Sequence, residues 1–465
     1  MSRQNRRDFL KTTGLMGLGL SGASLLGGCG SGNGGDTRGE PIYNMRGYAA
    51  EPLETVRIGV LGIGNRGFGA LRRLMRIEGV ELMALADLDP TRLEMAGELL
   101  SGTDHNPETY TGEEDWKRIC ERDDIDLIYI CTPWHLHTPN AVHAMQNGKH
   151  AATEVPAAQT IEECWQLVNT SEETRRHCMM LENVCYDFFE MVTLKMAREG
   201  FFGELIHGEG AYIHDRLERI FDKTETTWRL EENIGRHGSL YPMHGLGPVA
   251  EAMDLNCGDR AETLISMSSN DFSMGPRANA LAEEDPFWEP YAGRDFRGNM
   301  NTSVMRTERG RTIMLQHDTS SPRPYSRIHL LSGTEGVCRK YPLPARIATG
   351  HDGWLTEEEQ SALEEQFTPE ITRRAGEMAR QVGGHGGMDT LMDWRLMDCL
   401  RNGLPLDMDV YDAALWSSVI PLSEASVADR SNPQAVPDFT RGEWQSNPRA
   451  LDVDLVRGGG TTRIL

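Results

Sequence analysis

Long apolar runs are missing from this chain: none reaches the roughly 18 to 20 residues that a membrane-spanning helix needs. Basic residues are scarce, 47 Lys plus Arg against 70 Asp plus Glu, for a formal net charge of −23. Such a surface is repelled by nucleic-acid phosphates and anionic lipid heads, which argues against both as partners. Closely paired cysteines are missing as well. No C-x-x-C occurs and no His or Cys recurs at zinc-ligand spacing, so no metal is expected. There are no internal repeats, which excludes a solenoid. What is present is ordinary for a globular protein, 39% apolar and 25% charged residues. A length of 465 residues suffices for two or three domains with their own cores.

Asn5-Arg6-Arg7-Asp8-Phe9-Leu10-Lys11, followed by a mild apolar stretch from Leu15 to Leu26, resembles a twin-arginine export signal. The stretch ends Leu26-Gly27-Gly28-Cys29, which resembles a lipobox with Cys29 as the lipidated residue. A twin-arginine signal ending in a chance cysteine is the alternative. Residues 1–29 are therefore read as signal, and 30–52, which open Gly-, Ser- and Asn-rich, as a flexible tether. The expected partner is the twin-arginine export machinery, with membrane contact only through a lipid anchor, on the periplasmic side or at the cell surface. The remaining eight cysteines lie scattered, several in apolar stretches, and read as buried thiols. Export of an already folded chain suits cysteines outside any disulfide framework.

Val56 to Leu61 is a short β-rich run leading into Gly62-Ile63-Gly64-Asn65-Arg66-Gly67, with an amphipathic stretch, Ala70 to Arg76, behind it. Strand, G-x-G-x-x-G and helix in that order form a dinucleotide-binding fingerprint. The glycines permit a tight turn and close backbone approach, with the pyrophosphate at the helix N-terminus. A second strand, Val80 to Ala86, ends in Asp87, where a carboxylate binds ribose hydroxyls and repels a 2′-phosphate, so NAD is preferred over NADP. Ile125 to Cys131, Ala151 to Thr153 and Cys178 to Leu181 continue as strands, separated by helices over Asn140 to Gly148 and Glu162 to Thr170. Strand ends line the ligand crevice of such a sheet, so Trp134, His137, Glu154 and Asn183 are cofactor-side candidates by position. For each, a satisfied structural group is the alternative.

After Tyr186 the pattern changes. Leu205 to Ile213, Thr263 to Met267, Thr302 to Met305, Thr312 to Gln316 and Ile328 to Leu331 read as strands without intervening helices. They predict an open, mostly antiparallel sheet in a second domain. Thr356 to Gln381, Met388 to Arg401 and Val410 to Val427 read as returning helices. The predicted fold is thus α/β: a Rossmann doubly wound parallel sheet over 53–182, an α+β open-sheet domain over 183–440, and a loose tail over 441–465. An open sheet of this kind is compatible with a homo-oligomer.

A Rossmann domain followed by an open sheet, with E-x-P at Glu154-Val155-Pro156, resembles the glucose–fructose oxidoreductase/inositol dehydrogenase family. Its typical members carry a proton-transferring lysine where this chain has Val155, and an aliphatic side chain cannot shuttle a proton. A narrower resemblance, to glycoside hydrolase family 109, runs from about Val56 to Trp444. It is carried by Gly64-Asn65-Arg66-Gly67, Pro133-Trp134, Glu182-Asn183-Val184-Cys185-Tyr186, Gly210 to Asp215, Leu240 to Gly245, His317-Asp318-Thr319, Arg323-Pro324-Tyr325 and Gly384-His385-Gly386-Gly387-Met388-Asp389. That family implies an α-N-acetylgalactosaminidase that keeps NAD bound. It further implies NAD contacts from Gly62, Gly64, Asn65, Arg66, Asp87, Trp134, His135, Leu136, His137, Glu154, Val155, Asn183 and Tyr241. The sugar pocket would be lined by Tyr212, Arg229, Tyr241, Pro242, Met243, His244 and Tyr325.

No pair of carboxylates flanking a bond stands out, the usual glycosidase arrangement. The implied alternative is redox: C3 of a terminal N-acetylgalactosaminide is oxidised, C2 deprotonated, the glycosidic oxygen eliminated, water added at C1 and C3 reduced again, with retention. An exported enzyme has no cytoplasmic pool to reoxidise NADH, which favours a closed cycle. His244, three positions after Tyr241, would share a helix face with it and act as proton shuttle, with Tyr241 and Tyr325 orienting or protonating sugar oxygens. His385, between glycines ahead of a helix, reads as a cap or interface residue. Two other functions stay open, a sugar–sugar oxidoreductase with tightly bound NAD(P) and a non-catalytic sugar-binding lipoprotein.

Overall fold

The computed structural model describes residues 42–223 and 227–465, so the export signal and Cys29 lie outside the described residues. β1 (Val56–Leu61), β2 (Val80–Ala86), β3 (Glu108–Tyr110), β4 (Leu127–Ile130), β5 (His150–Thr153) and β6 (Cys178–Met180) form one sheet ordered β3-β2-β1-β4-β5-β6. All of its pairs are parallel. A parallel sheet covered on both faces needs unbroken apolar strands, and every residue of β4, β5 and β6 is buried. The order reverses between β1 and β4, which opens a crevice at their carboxyl ends. β3 has only Tyr110 buried, so it leaves no hydrophobic period to read.

β7 (Leu205–Ile213), β8 (Ala261–Ser268), β9 (Asn301–Thr307), β10 (Thr312–Asp318), β11 (Leu330–Gly333), β12 (Val337–Arg339), β13 (Arg346–Ala348) and β14 (Gln434–Ala435) form the second sheet, ordered β13-β12-β11-β7-β10-β9-β8-β14. β7 and β10 run parallel and the other neighbours antiparallel, so the expected fold class holds. β11 begins two residues later than predicted because Ile328 and His329 take positive φ. The strands are not joined free of helices. Met243–Ala252 crosses the sheet between β7 and β8, and Met274–Glu284 precedes β9. The crossing is close because glycine meets glycine: a Cβ on Gly245 would lie 2.3 Å from Ala211 N, and one on Gly210 2.2 Å from Gly245 O. This contact seats the start of the helix directly on β7. Phe221, Leu230, Met274, Trp288 and Phe296 form a second small core, while Trp228, two residues before Leu230, packs against the main one.

Two boundaries expected from composition are corrected. Of the tether, the described residues 42–52 are docked: Met45 N donates to Tyr411 Oη at 3.0 Å, and Arg46 lies 2.8 Å from both Asp409 and Asp412. Arg46 is almost fully enclosed, so removing it would strand two buried carboxylates at a cost of about 3 to 5 kcal/mol. The tail is not loose either. Leu451, Val453 and Leu455 are buried, Trp394 Nε1 donates to Thr462 O at 2.8 Å, and Ile464 pairs with Ile77. Both sets of anchors lie next to glycine-rich runs, which concealed them. The helices Met388–Asn402 and Val410–Ala428 are buried nearly all round and knit the two sheets together. The charge-rich stretch before them is two helices, Glu357–Gln366 and Glu370–Val382, with Pro369 at the break.

Candidate active site

The crevice begins at the glycine turn. Gly62 has φ +85 and a Cβ there would sit 2.7 Å from Cys131 O, so the turn demands glycine. Gly64 is different: nothing lies within 4 Å of where its Cβ would be. That open space faces the start of the helix Asn65–Leu74, which has no side-chain cap and no acid in its first turn. An uncapped positive end next to an open glycine suits a pyrophosphate. Asp87 Oδ2 accepts from Ile63 N at 2.6 Å, which pins the turn and holds the carboxylate at the end of β2. Asn183, 2% exposed, keeps its Oδ1 without a hydrogen-bond partner, an unmet acceptor at the end of β6. These residues fit a dinucleotide.

Around them runs an ion network. Arg66 lies 2.5 Å from Glu154 and 2.8 Å from Asp389. Asp389 also receives Asn183 Nδ2 and lies 2.9 Å from His385 Nδ1. Burial would raise the Asp389 pKa, but His385, Arg66 and Arg73 hold it far below the usual carboxylate range. Trp134 is buried, His135 exposed and Leu136 half-buried on the turn after β4. His137 is corrected as a ligand contact. Its ring is 1% exposed, Nδ1 sits 2.6 Å from Pro156 O and Nε2 2.7 Å from Thr132 O, so it braces two loops from beneath. Burial pulls its pKa down to about 4 despite both carbonyls. Val155 is likewise buried.

Across the crevice an aromatic cleft opens. Tyr241 stacks on Trp134 with ring centroids 5.8 Å apart, and Tyr212 lies 4.8 Å from Tyr241. His244 packs 4.9 Å from Tyr241 and 5.4 Å from Tyr212. Tyr325, 38% exposed, closes the outer side, 6.3 Å from Tyr212. Arg229 lays its guanidinium 4.3 Å over Trp228 and 5.4 Å over Trp134. It is open to solvent yet surrounded by protein, and that enclosure lowers its pKa. No carboxylate among the described residues pairs with it. Enclosure likewise pushes up the phenols of Tyr241 and Tyr212. The Tyr241 hydroxyl makes no hydrogen bond to a described residue.

The predicted helical spacing of Tyr241 and His244 does not occur, since the helix starts at Met243 and Tyr241 precedes it. The two rings meet all the same. Met243 turns into the core at 0% exposure and Pro242 is buried at the N-cap, so neither side chain lines the cleft. Glu182, which sequence reasoning left without a role, is 0% exposed and holds His244 Nδ1 at 2.7 and 2.9 Å. This fixes the tautomer with the proton on Nδ1 and leaves Nε2 as the working nitrogen. Nε2 makes no hydrogen bond to a described residue. His385 is also not a cap: the helix Met388–Asn402 has no side-chain cap, and the imidazole is 62% exposed on a run of positive-φ glycines. The first assignment needs a contact between residues 62 positions apart and the second needs backbone angles, and only the adjacency of Glu182 to Asn183 hinted at the first.

A dinucleotide crevice merging into an aromatic cleft with a carboxylate-held histidine defines an enzyme that handles a polar ring beside a nicotinamide site. The comparisons place it. A family model described as an oxidoreductase family, NAD-binding Rossmann fold, matches residues 56–182, and one described as glycosyl hydrolase 109, C-terminal domain, matches 186–446. A glycosyl hydrolase family 109 protein of Porphyromonas gingivalis is 47% identical over 413 residues, 84% of this chain and 86% of its own. An alpha-N-acetylgalactosaminidase of Bacteroides fragilis is 47% identical over 412 residues, 86% of this chain and 96% of its own. The chain belongs to glycosyl hydrolase family 109 and is a glycoside hydrolase built on an NAD-binding fold. Levoglucosan dehydrogenase in complex with NADH shares the fold at TM-score 0.62 and 17% identity, over 83% of this chain and 100% of its own. So does aldose-aldose oxidoreductase from Caulobacter crescentus, at TM-score 0.59 and 16% identity, over 82% and 99%.

Proposed function

We propose that the enzyme removes terminal α-linked N-acetylgalactosamine with retention, using a tightly held NAD that ends each turnover as it began. The observation that carries this is the continuity of Trp134, Tyr241, His244 and Glu182, which joins the dinucleotide crevice to an acid–base dyad. NAD held by the turn at Gly62 and Gly64 and by Asp87 would supply a hydride acceptor and donor for C3 of the sugar. His244, oriented by Glu182, moves protons through Nε2 at the C3 hydroxyl or at C2, which becomes acidic once C3 is a ketone. Elimination then expels the glycosidic oxygen and water adds at C1. Tyr241, its phenol pushed up, stays protonated and donates to a sugar oxygen. Arg229 and Tyr212 grip the ring and Tyr325 its outer edge. His385, exposed on its glycine run and held by Asp389, is a second acid–base group for the leaving oxygen. Val155 carries no proton.

The N-terminal twin-arginine pattern supports export with the cofactor already loaded, and Cys29 supports a lipid anchor at the periplasmic or cell surface. A resident NAD outside the cytoplasm is workable only if each turnover regenerates it. Purified protein without added NAD should release nitrophenol from nitrophenyl α-N-acetylgalactosaminide and wash deuterium from C2 into solvent. No release from any N-acetylhexosaminide, together with ketose or lactone formation, would overturn the hydrolase mechanism in favour of hydride exchange between sugars.

A further inference from the structure

We infer that Tyr325 and Tyr341 form an aromatic ledge at the mouth of the cleft, which binds the sugar next to the scissile bond by its ring face. The inference rests on the proposed hydrolase reading and extends it to the leaving side of the substrate. The rings stand in one line of contacts. Trp134 is buried three residues after Cys131, whose carbonyl lies against the Gly62 turn. Between centroids, Trp134 to Tyr241 is 5.8 Å, Tyr241 to Tyr212 4.8 Å, Tyr212 to Tyr325 6.3 Å and Tyr325 to Tyr341 5.8 Å. Tyr325 is 38% exposed, Tyr341 is half-buried, and the next three residues, Pro342 to Pro344, are exposed. The line therefore starts buried at the dinucleotide turn and ends at solvent. A terminal sugar whose C3 meets the nicotinamide occupies the buried end, and the sugar attached to it is left with the exposed one.

Both rings of the ledge are held in place. One guanidinium backs the pair: Arg327 Cζ lies 5.7 Å from the Tyr325 ring and 5.4 Å from the Tyr341 ring. Arg327 is itself buried and fixed on Glu190 at 2.9 Å. Tyr341 N donates to Ile328 O at 3.0 Å, and Lys340 beside it lies 2.7 Å from Glu190. Arg339 donates to Pro342 O at 2.6 Å and lies 5.2 Å over the Trp354 ring, which pins the turn after Tyr341. Rings fixed in this way lose little freedom when a ligand binds. Their polar edges stay available. Tyr325 Oη accepts from Arg327 Nη1 at 3.1 Å and keeps its own proton to donate, and the Tyr341 hydroxyl makes no hydrogen bond to a described residue. A tyrosine serving only the core would have its hydroxyl satisfied. An aromatic face with a hydroxyl donor at its edge matches a pyranose, which presents C–H groups on its face and hydroxyls around its rim.

The test compares kcat/KM on two substrates that share the terminal sugar, methyl α-N-acetylgalactosaminide and N-acetylgalactosamine α-linked to galactose. The wild-type enzyme is expected to favour the disaccharide by about tenfold, as one ring contact and one hydrogen bond allow. Tyr341→Ala should abolish that preference by raising KM for the disaccharide alone, and Tyr341→Phe should keep part of it because the ring face remains. Tyr341→Leu, which keeps bulk without the aromatic face, is expected to match Tyr341→Ala and replaces it should the alanine variant not fold. Equal kcat/KM on the two substrates in the wild type, a preference that survives loss of the ring, or an equal fall on both substrates would refute the ledge. A Thr-linked N-acetylgalactosamine peptide turned over in preference to the disaccharide, with that preference lost in Tyr341→Ala, would overturn the sugar as its occupant. No turnover of either substrate by the wild type would instead count against the hydrolase reading.

Discussion

On the Rossmann side of the cleft, Arg66 meets Glu154 at 2.5 Å and Asp389 at 2.8 Å, and Asp389 in turn holds Asn183 and His385. Across from it, Arg229 rests on two indoles with no carboxylate partner among the described residues, the Tyr241 hydroxyl makes no hydrogen bond to a described residue, and neither does His244 Nε2. The difference is chemical. A largely paired ion network is rigid and keeps what it holds in register, which suits a cofactor that remains through many turnovers. Unsatisfied donors and acceptors gain most from a ligand that supplies partners, which suits a substrate that must bind and leave. Beneath its surface the open-sheet wall is ion-paired too. Arg327 Nη1 donates to Tyr325 Oη at 3.1 Å while its Nη2 lies 2.9 Å from Glu190, and Lys340 lies 2.7 Å from the same carboxylate.

The contrast can be broken most severely at the dyad. His244→Ala should lower kcat on a chromogenic substrate by about 10²- to 10⁴-fold, and Glu182→Gln by about 10²-fold because the tautomer is no longer enforced. Unchanged kcat in His244→Ala would remove the proton shuttle. Next in size is a pair of arginines that should respond oppositely. Arg66→Ala strands Glu154 and removes one of the cations on Asp389, so melting should report a loss of about 2 to 3 kcal/mol together with loss of bound NAD. Arg229→Ala strands nothing, so the melting temperature should hold while KM rises about tenfold or more. Equal destabilisation by both would erase the distinction between the walls.

Glycines sharpen it further. Gly64→Ala meets open space and should leave the fold intact while NAD content falls by about tenfold, since the pyrophosphate must approach that backbone closely. Gly67→Ala places a Cβ 1.9 Å from Gly62 O and should unfold the turn instead. Thermal melts alongside cofactor absorbance separate the two. The smallest effect concerns acid stability. Burial raises the Glu190 pKa, but Lys340 and Arg327 outweigh it and bring the group down to about 2. Such a group contributes stability above its ordinary value near 4.5, and that contribution is lost as pH falls towards about 2. Glu190→Gln should therefore lower the melting temperature at neutral pH and flatten its decline between those values. An unaltered acid limb would show that the Glu190 ion pairs are electrostatically idle.

Much of the cofactor wall was legible because it depends on local order. Strand, glycine turn, helix and a carboxylate at the next strand end are contiguous, and Gly62, Gly64 and Asp87 stand where that order predicts. Position at a strand end does not reveal which way a ring points, however, and His137 points into the protein. Met243 failed as a pocket residue for the same reason. Glu182 went unassigned because its partner lies 62 positions away, and the cap reading of His385 failed because glycines flank helix caps and other positive-φ turns alike.

By itself the sequence determined the parallel sheet, the dinucleotide turn, the family and the identity of most residues in the cleft, since each follows from short-range pattern and composition. Only the tertiary structure decided which of them work together. Glycine against glycine brings the helix of His244 onto β7, and a buried carboxylate from the far sheet then selects its tautomer. Packing and burial, which act between distant segments, made those choices.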